Sequence, residues 1–120
     1  MIEFKVDGEP KPKQSFRVFR NGKTISGFTD VKVKHWQNAV SYIARMAMME
    51  IGAIQLIGDL RVHLLFELSN RRRIDLDNLS KGVLDACNNI LWADDSSIVE
   101  LCVKKIISKT PGVTVKAETI

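Results

Sequence analysis

Leu60, Val62, Leu64, Phe66 and Leu68 alternate with Arg61, His63 and Glu67. A period of two sends successive side chains to opposite faces, so this segment predicts a strand with one buried face. Ile2 to Val6 alternates in the same way and reads as a first strand, broken by Gly8-Glu9-Pro10-Lys11-Pro12. Ser15 to Arg20 and Lys23 to Phe28 flank Asn21-Gly22, a dipeptide suited to the positive φ angles of a tight hairpin turn. The period then changes. Val33, Trp36, Val40, Ile43 and Ala47 recur at steps of three and four, which predicts a helix capped by Thr29 or Asp30. It should run to about Ile51, with Gly52 as its stop.

Leu76, Leu79, Val83, Ala86 and Ile90 form a second helical stripe. Ile98 to Ile107 is rich in β-branched residues and reads as a strand, Pro111-Gly112 as a turn, and Val113, Val115 and Ala117 as a last strand. The order β, β-hairpin, α, β, α, β, β predicts an α/β (α+β) fold, a mixed β-sheet with two α-helices packed on it. At 120 residues the chain can bury one core, so residues 1–120 read as a single domain.

Composition removes some function classes. Apolar residues make up 45% and charged residues 27%, which excludes disordered and fibrous chains. No stretch approaches the ~18 apolar residues of a membrane span, and the start does not read as a secretory signal. Cys87 and Cys102 fit no metal or redox spacing and fall at positions that look like core. A cytoplasmic setting is expected. The formal net charge of +4 favours an anionic partner. His35 and His63 have no second ligand-type residue at metal spacing and read as structural or solvated. Lys32 and Lys34 sit in the first turn of the first helix, where the helix dipole disfavours cations, as exposed charges or as phosphate contacts.

The chemistry concentrates between Arg71 and Asp95. Asp75 and Asp77 lie two residues apart at a predicted loop-to-helix boundary, where both carboxylates can converge on the helix N-terminus. Either one alone reads equally well as a helix cap, and Asp94-Asp95 as turn formers. Taken together, several carboxylates repel unless a cation neutralises them, and oxygen-only ligands suit Mg²⁺ or Mn²⁺ rather than zinc. A calcium loop counted from Asp75 fails, because Leu79, Ser80 and Ala86 stand where it wants an oxygen ligand, Gly and Glu. Arg71, Arg72 and Arg73 beside such a site resemble a phosphate-gripping surface. Lys81, four residues after Asp77, shares its helix face and either pairs with it or orients a phosphate. Asp85, a turn further on, reads as a partner for Lys81.

The run R-R-R-x-D-L-D-N-L-x-K, followed by L-D-A and W-x-D-D, closely resembles the RusA family of Holliday-junction resolvases. These are small phage- and prophage-associated endonucleases that cut four-way DNA junctions. The G-x-P-x-P-K segment at Gly8 to Lys13 extends the likeness toward the N-terminus. The resemblance implies that Asp75, Asp77 and Asp95 are the metal-binding catalytic carboxylates and Lys81 the functional lysine. It implies a homodimer that requires Mg²⁺, with Mn²⁺ as a substitute, and acts in DNA recombination and repair. Asp94 matches an acidic position of undefined role, and Asn88-Asn89-Ile90-Leu91-Trp92 lacks the glycine often found there. Lys11, Lys13, Arg17 and Arg71 to Arg73, with Lys81, are the expected nucleic-acid contacts. Paired symmetric nicks in a four-way junction are the expected reaction. The alternatives are a junction-binding protein without catalysis and a Mg²⁺-dependent phosphatase or nucleotide hydrolase. Carboxylates facing a polyanion oppose the first, and the lack of a Gly-rich phosphate loop opposes the second.

Overall fold

The computed structural model describes residues 1–13 and 31–120 in full and, between them, the backbone of Arg17–Val18 and Thr24–Ile25. Its elements follow the predicted order: β1 (Ile2–Asp7), β2 (Arg17–Val18), β3 (Thr24–Ile25), α1 (Val31–Ile51), β4 (Leu60–Leu68), α2 (Leu76–Cys87), β5 (Ile98–Ile107) and β6 (Gly112–Thr119). A single 3₁₀ turn, Asp95–Ser97, precedes β5. The pairing of Arg17 with Ile25 and Val18 with Thr24 agrees with the hairpin. Its Asn21-Gly22 turn and the Thr29 or Asp30 cap fall outside the described residues, as does the side chain of Arg17.

Four strands form one mixed sheet in the order β1-β6-β4-β5. β6 is antiparallel to both β1 and β4, whereas β5 runs parallel to β4 after the α2 crossover. The fold is thus a single α+β domain. Alternation decides which face is covered. Ile2, Phe4 and Val6, Leu60 to Phe66 at every second position, and Val113, Val115 and Ala117 all point to the helices and build the core.

The opposite face is a ladder of charges. Arg61 pairs with both Glu100 and Glu118, Lys116 lies 3.6 Å from Glu3 and Lys5 lies 3.2 Å from Glu67. These cations are already matched in place, so that face offers little net positive charge to an anionic polymer.

α1 buries Val33, Trp36, Val40, Ala44 and Met48. The predicted stripe used Ile43 and Ala47, which are half-buried beside it, because a 3.6-residue period drifts over five turns. Gly52 adopts φ +68, and the N–H groups of Gly52 and Ala53 return to the carbonyls of Met49 (3.1 Å) and Met48 (3.1 Å). That is the Schellman stop a C-terminal glycine permits. Two polar ties fix α1 to α2: Gln37 Nε2 donates to the Gly82 carbonyl at 2.9 Å, and Ser41 Oγ to that of Ala86 at 2.8 Å.

The cysteine expectation divides. Cys87 is fully buried, and burial pushes its thiol up to about 12. Cys102 is exposed and is not core. It lies on β5, a side strand covered on neither face along most of its length.

Candidate active site

Two chain reversals build the two halves of the acidic set. The first follows β4. Leu68 ends the strand, and residues 69–74 turn back over the sheet through short-range bonds from Arg72 N–H to the Asn70 carbonyl (3.1 Å) and from Ile74 N–H to the Arg72 carbonyl (3.0 Å). Lys105 of β5 reaches under this loop and donates to the Ile74 carbonyl at 2.7 Å. Asp75 is then the N-cap residue of α2, with extended backbone at φ −73 and ψ 136, and its carboxylate makes no capping hydrogen bond. Asp77 lies in the first helical turn and, among the described residues, accepts only the N–H of its neighbour Asn78, at 3.0 Å. Both side chains are exposed, and neither forms an ion pair among the described residues.

A carboxylate at a helix start that leaves the capping N–H groups to others is an available acceptor. Asp75 and Asp77 present hard oxygen donors at the positive end of the helix dipole, a donor set that fits Mg²⁺ or Mn²⁺.

Some of the cations around them are held by anionic partners, and others are not, among the described residues. Arg71 and Arg73 are exposed. Arg72 donates to Glu9 at 2.6 Å, and the same carboxylate accepts the Ser69 hydroxyl at 3.0 Å and the Ser69 N–H at 3.3 Å. Arg72 is therefore positioned by an internal anion, unlike its two neighbours. Lys13 N–H donates to the Asn78 carbonyl at 3.0 Å, so the segment 9–13 lies along the start of α2. The Lys13 ammonium reaches Asp85 at 2.7 Å, and Lys81 stands 3.8 Å from the same Asp85 oxygen. Lys11 is half-buried in that segment. A depression of about 480 Å³ separates the basic loop from the end of β5, lined by Arg71, Arg72, Lys105, Ile106 and Ile107 among others.

The second reversal holds the other carboxylates. α2 ends at Cys87, and the chain closes a tight loop in which Asn89 N–H donates to the Trp92 carbonyl at 2.7 Å. Asn89 has φ +66, so it supplies the left-handed residue for which a glycine is the usual choice. Trp92 is fully buried, and its Nε1 donates to Asn88 Oδ1 at 2.7 Å. Asp94 caps the 3₁₀ turn by accepting the Ser96 N–H at 3.1 Å. The Ser96 hydroxyl and N–H, and then the Asp95 N–H, hold the Asp94 carboxyl below the ordinary carboxylate range. Asp94 is thus a turn-forming residue, and Asp95 begins the turn it caps.

Within one copy of the chain these two halves do not meet. Asp95 opens the turn that leads straight into Ile98 at the start of β5, whereas the Asp75 loop sits over Lys105 near its end. From Ile98 to Lys105 a strand covers roughly 23 Å, and α2 between them is about 18 Å long. Among the described residues no three His, Cys, Asp or Glu side chains are grouped to hold a metal ion. The sequence expectation that Asp95 joins Asp75 and Asp77 in one pocket is not realised inside a single chain. The reason is topological: α2 returns the chain from the far end of β4 to its near end before β5 starts. Glu9 and Lys105, which shape the Asp75 end, escaped sequence reasoning because both act across distant segments. The only signal was that Glu9 falls in the Gly8-to-Lys13 segment already singled out.

Comparison with known proteins assigns the chain. A family model described as Endodeoxyribonuclease RusA matches residues 7–118. The Crossover junction endodeoxyribonuclease RusA of Escherichia coli (strain K12) is 31% identical, over 81% of this chain and 78% of its own length. Its counterpart from Enterobacteria phage 82 is 29% identical over the same shares. An uncharacterized protein of Bacillus subtilis (strain 168), YqaN, is 30% identical over 95% of this chain and 93% of its own. With the family pattern spanning nearly its whole length, the chain belongs to the RusA family of endodeoxyribonucleases.

Proposed function

We propose that this nuclease resolves four-way DNA junctions by paired symmetric nicks, and that two copies complete each other's catalytic sites with Mg²⁺ or Mn²⁺. The observation that carries this reading is the placement of the acidic residues at opposite ends of β5, a strand paired to β4 on one edge only among the described residues. Among the described residues β5 has a free edge, and Val99 (57%), Leu101 (43%) and Ile107 (49%) along it are exposed apolar side chains. An open, apolar strand edge is a template for pairing with another strand. A two-fold axis that pairs β5 with β5 of a second copy must run them antiparallel. Each Asp95 then arrives at the other copy's Lys105 end, beside Asp75 and Asp77. The depression there is lined by Arg71, Arg72 and Lys105, complementary in charge to the arriving Asp94-Asp95 turn.

In that assembly Asp75 and Asp77 of one copy and Asp95 of the other would hold the ion. A bound Mg²⁺ supplies Lewis-acid polarisation of the phosphate and lowers the pKa of attacking water. The chain's own residues do the rest. Arg71 and Arg73 grip the backbone on either side of the scissile phosphate, and Lys81 projects from the same helix face as Asp77 toward it. The two-fold axis relates the two sites as the strands of a four-way junction are related, which yields matched nicks and ligatable duplexes. A DNA substrate is consistent with a cytoplasmic setting. No helix among the described residues is long and apolar enough to cross a membrane.

Mixing two inactive variants tests the shared site. Copies carrying Asp75→Asn are combined with copies carrying Asp95→Asn and given a synthetic junction with Mg²⁺. In each mixed pair one site loses both residues and the other keeps all three carboxylates, so the mixture should regain single nicks that neither variant makes alone. A mixture as inactive as its components, in pairs shown to have exchanged, would place each site within one chain. Wild-type protein that binds the junction without cutting would instead leave a non-catalytic binder.

A further inference from the structure

On the exposed face of α2, Asp77, Lys81 and Asp85 follow one another at steps of four, so Lys81 has a carboxylate one turn before it and another one turn after. Helix geometry favours the first. An acidic residue four positions before a lysine makes the better pair than one four positions after it. The structure has the opposite arrangement: Lys81 Nζ stands 3.8 Å from Asp85 Oδ2, and Asp77 accepts only a backbone N–H among the described residues. Asp85 also holds Lys13. Its ammonium lies 2.7 Å from that same Asp85 oxygen, and its backbone N–H is fixed on the Asn78 carbonyl at 3.0 Å. Asp85 is half-buried between the two lysines, with its side chain only 24% exposed, whereas Lys81 is 57% exposed.

We infer that Asp85 is a positioning residue: it draws Lys81 away from Asp77, which keeps that carboxylate clear for the metal ion and the lysine free for substrate phosphate. The inference rests on the metal-binding role proposed above for Asp77. Its physical content is a competition. A lysine paired to Asp77 must be displaced before a divalent cation can bind there, and an exposed pair at this spacing resists by a factor of about two. Without Asp85, Lys81 has one carboxylate left within reach along its helix, and it is a metal ligand. Asp85 thus acts through Lys81 and touches neither metal nor DNA.

Mn²⁺ binding, followed by titration calorimetry on the assembled protein without DNA, reads this directly. Asp85→Asn should weaken Mn²⁺ binding about two- to five-fold, the range spanned by one helical ion pair and one nearby charge. The simple loss of a negative charge would weaken it too, and a double-mutant cycle with Lys81→Met separates the two causes. If Asp85 works by holding Lys81, Asp85→Asn has little effect once Lys81 is gone. Equal weakening in both backgrounds would reduce Asp85 to a general field effect and overturn the inference. Asp85→Glu keeps the charge and reaches both lysines, so it should bind Mn²⁺ as wild type does. This variant keeps the test open if Asn loosens the helix, and a loss of affinity in it would also overturn the inference. Wild-type protein that binds no Mn²⁺ would remove the metal reading of Asp77 itself, a failure distinct from additivity in the cycle.

Discussion

β1 and β5 both lie at the sides of the four-stranded sheet, yet they are finished in different ways. β1 alternates cleanly, with Ile2, Phe4 and Val6 against the helices and Glu3, Lys5 and Asp7 outward. Two of those charges, Glu3 and Lys5, are matched by Lys116 and Glu67. Charged residues of this kind are how a soluble protein makes a strand edge unattractive to other strands. β5 is open on both faces for most of its length and carries Val99, Leu101, Ile106 and Ile107 in the open. One edge is complete in the single chain, and the other makes sense once a second chain covers it. The carboxylates repeat the lesson, since in the proposed assembly the pair beside the end of β5 and the pair at its start would come together only across two copies.

The sharpest way to break this contrast is to give β5 the finish of β1. Val99→Lys with Leu101→Lys alters side chains that the single chain leaves exposed, so the fold should hold. Sedimentation should then show a monomer, and junction cutting should fall by more than about a hundredfold, a loss that even an outer-shell partner of a metal ligand can produce. Lys5→Glu on β1 should leave the assembly intact. A β5 variant that stays dimeric and active would mean the chains meet elsewhere.

The core beneath the start of β5 gives the next effect. Trp92 is fully buried and anchors the loop that leads to Asp94 and Asp95. Trp92→Ala should cost about 3–5 kcal/mol of unfolding free energy by the cavity it leaves. Trp92→Phe should cost less but strand the Asn88 side chain, at about 1 kcal/mol. Denaturant titrations measure both. A mild effect from Ala would mean the loop is held by its backbone bonds alone.

How far the sequence displayed all this follows from the range of the forces involved. The alternation in Leu60–Leu68 and the stripes of α1 and α2 are local, and the elements lie where those patterns put them, except that α2 stops at Cys87 and leaves Ile90 in the following turn. The exposure of Cys102 was not legible, because an apolar strand looks the same whether its cover comes from its own chain or from another. The Asp75-Asp77 pair at a helix start was legible, since loop and helix are continuous there. The distance to Asp95 was not, because it depends on β5 running parallel to β4, which only tertiary pairing decides. Arg72 and Lys13 read as free cations in a list of charges, and Glu9 and Asp85 claim them only in three dimensions.

That last point sharpens into a smaller effect. DNA affinity should fall steeply with salt, by roughly one unit of log–log slope for each phosphate contact. Arg71→Ala and Arg73→Ala should each lower the slope by about one unit. Arg72→Ala should lower it less, because Glu9 already neutralises that guanidinium. Lys5→Ala and Lys116→Ala, on the matched face beside β1, should leave it unchanged. Filter binding across a salt series measures the slopes, and equal losses at all three arginines would show that Glu9 releases Arg72 to the DNA.

The smallest effect belongs to Asp94. Ser96 holds its carboxyl below the ordinary value, first through the hydroxyl and then through the N–H, and this is the turn that carries Asp95. A carboxyl depressed in the folded state contributes stability above its unfolded pKa of about 3.9, and that contribution is lost as pH falls through the lower folded value. Asp94→Ala should therefore unfold at a slightly lower temperature than wild type near neutral pH. The gap should close as the pH drops below about 4, where the wild-type carboxylate protonates and the cap is lost in both. β1 has no such residue at its start, so an equal acid dependence introduced by Glu3→Ala on the finished edge would argue against a local cap. A gap for Asp94→Ala that persists in acid would mean the side chain supports the turn by packing rather than by its charge.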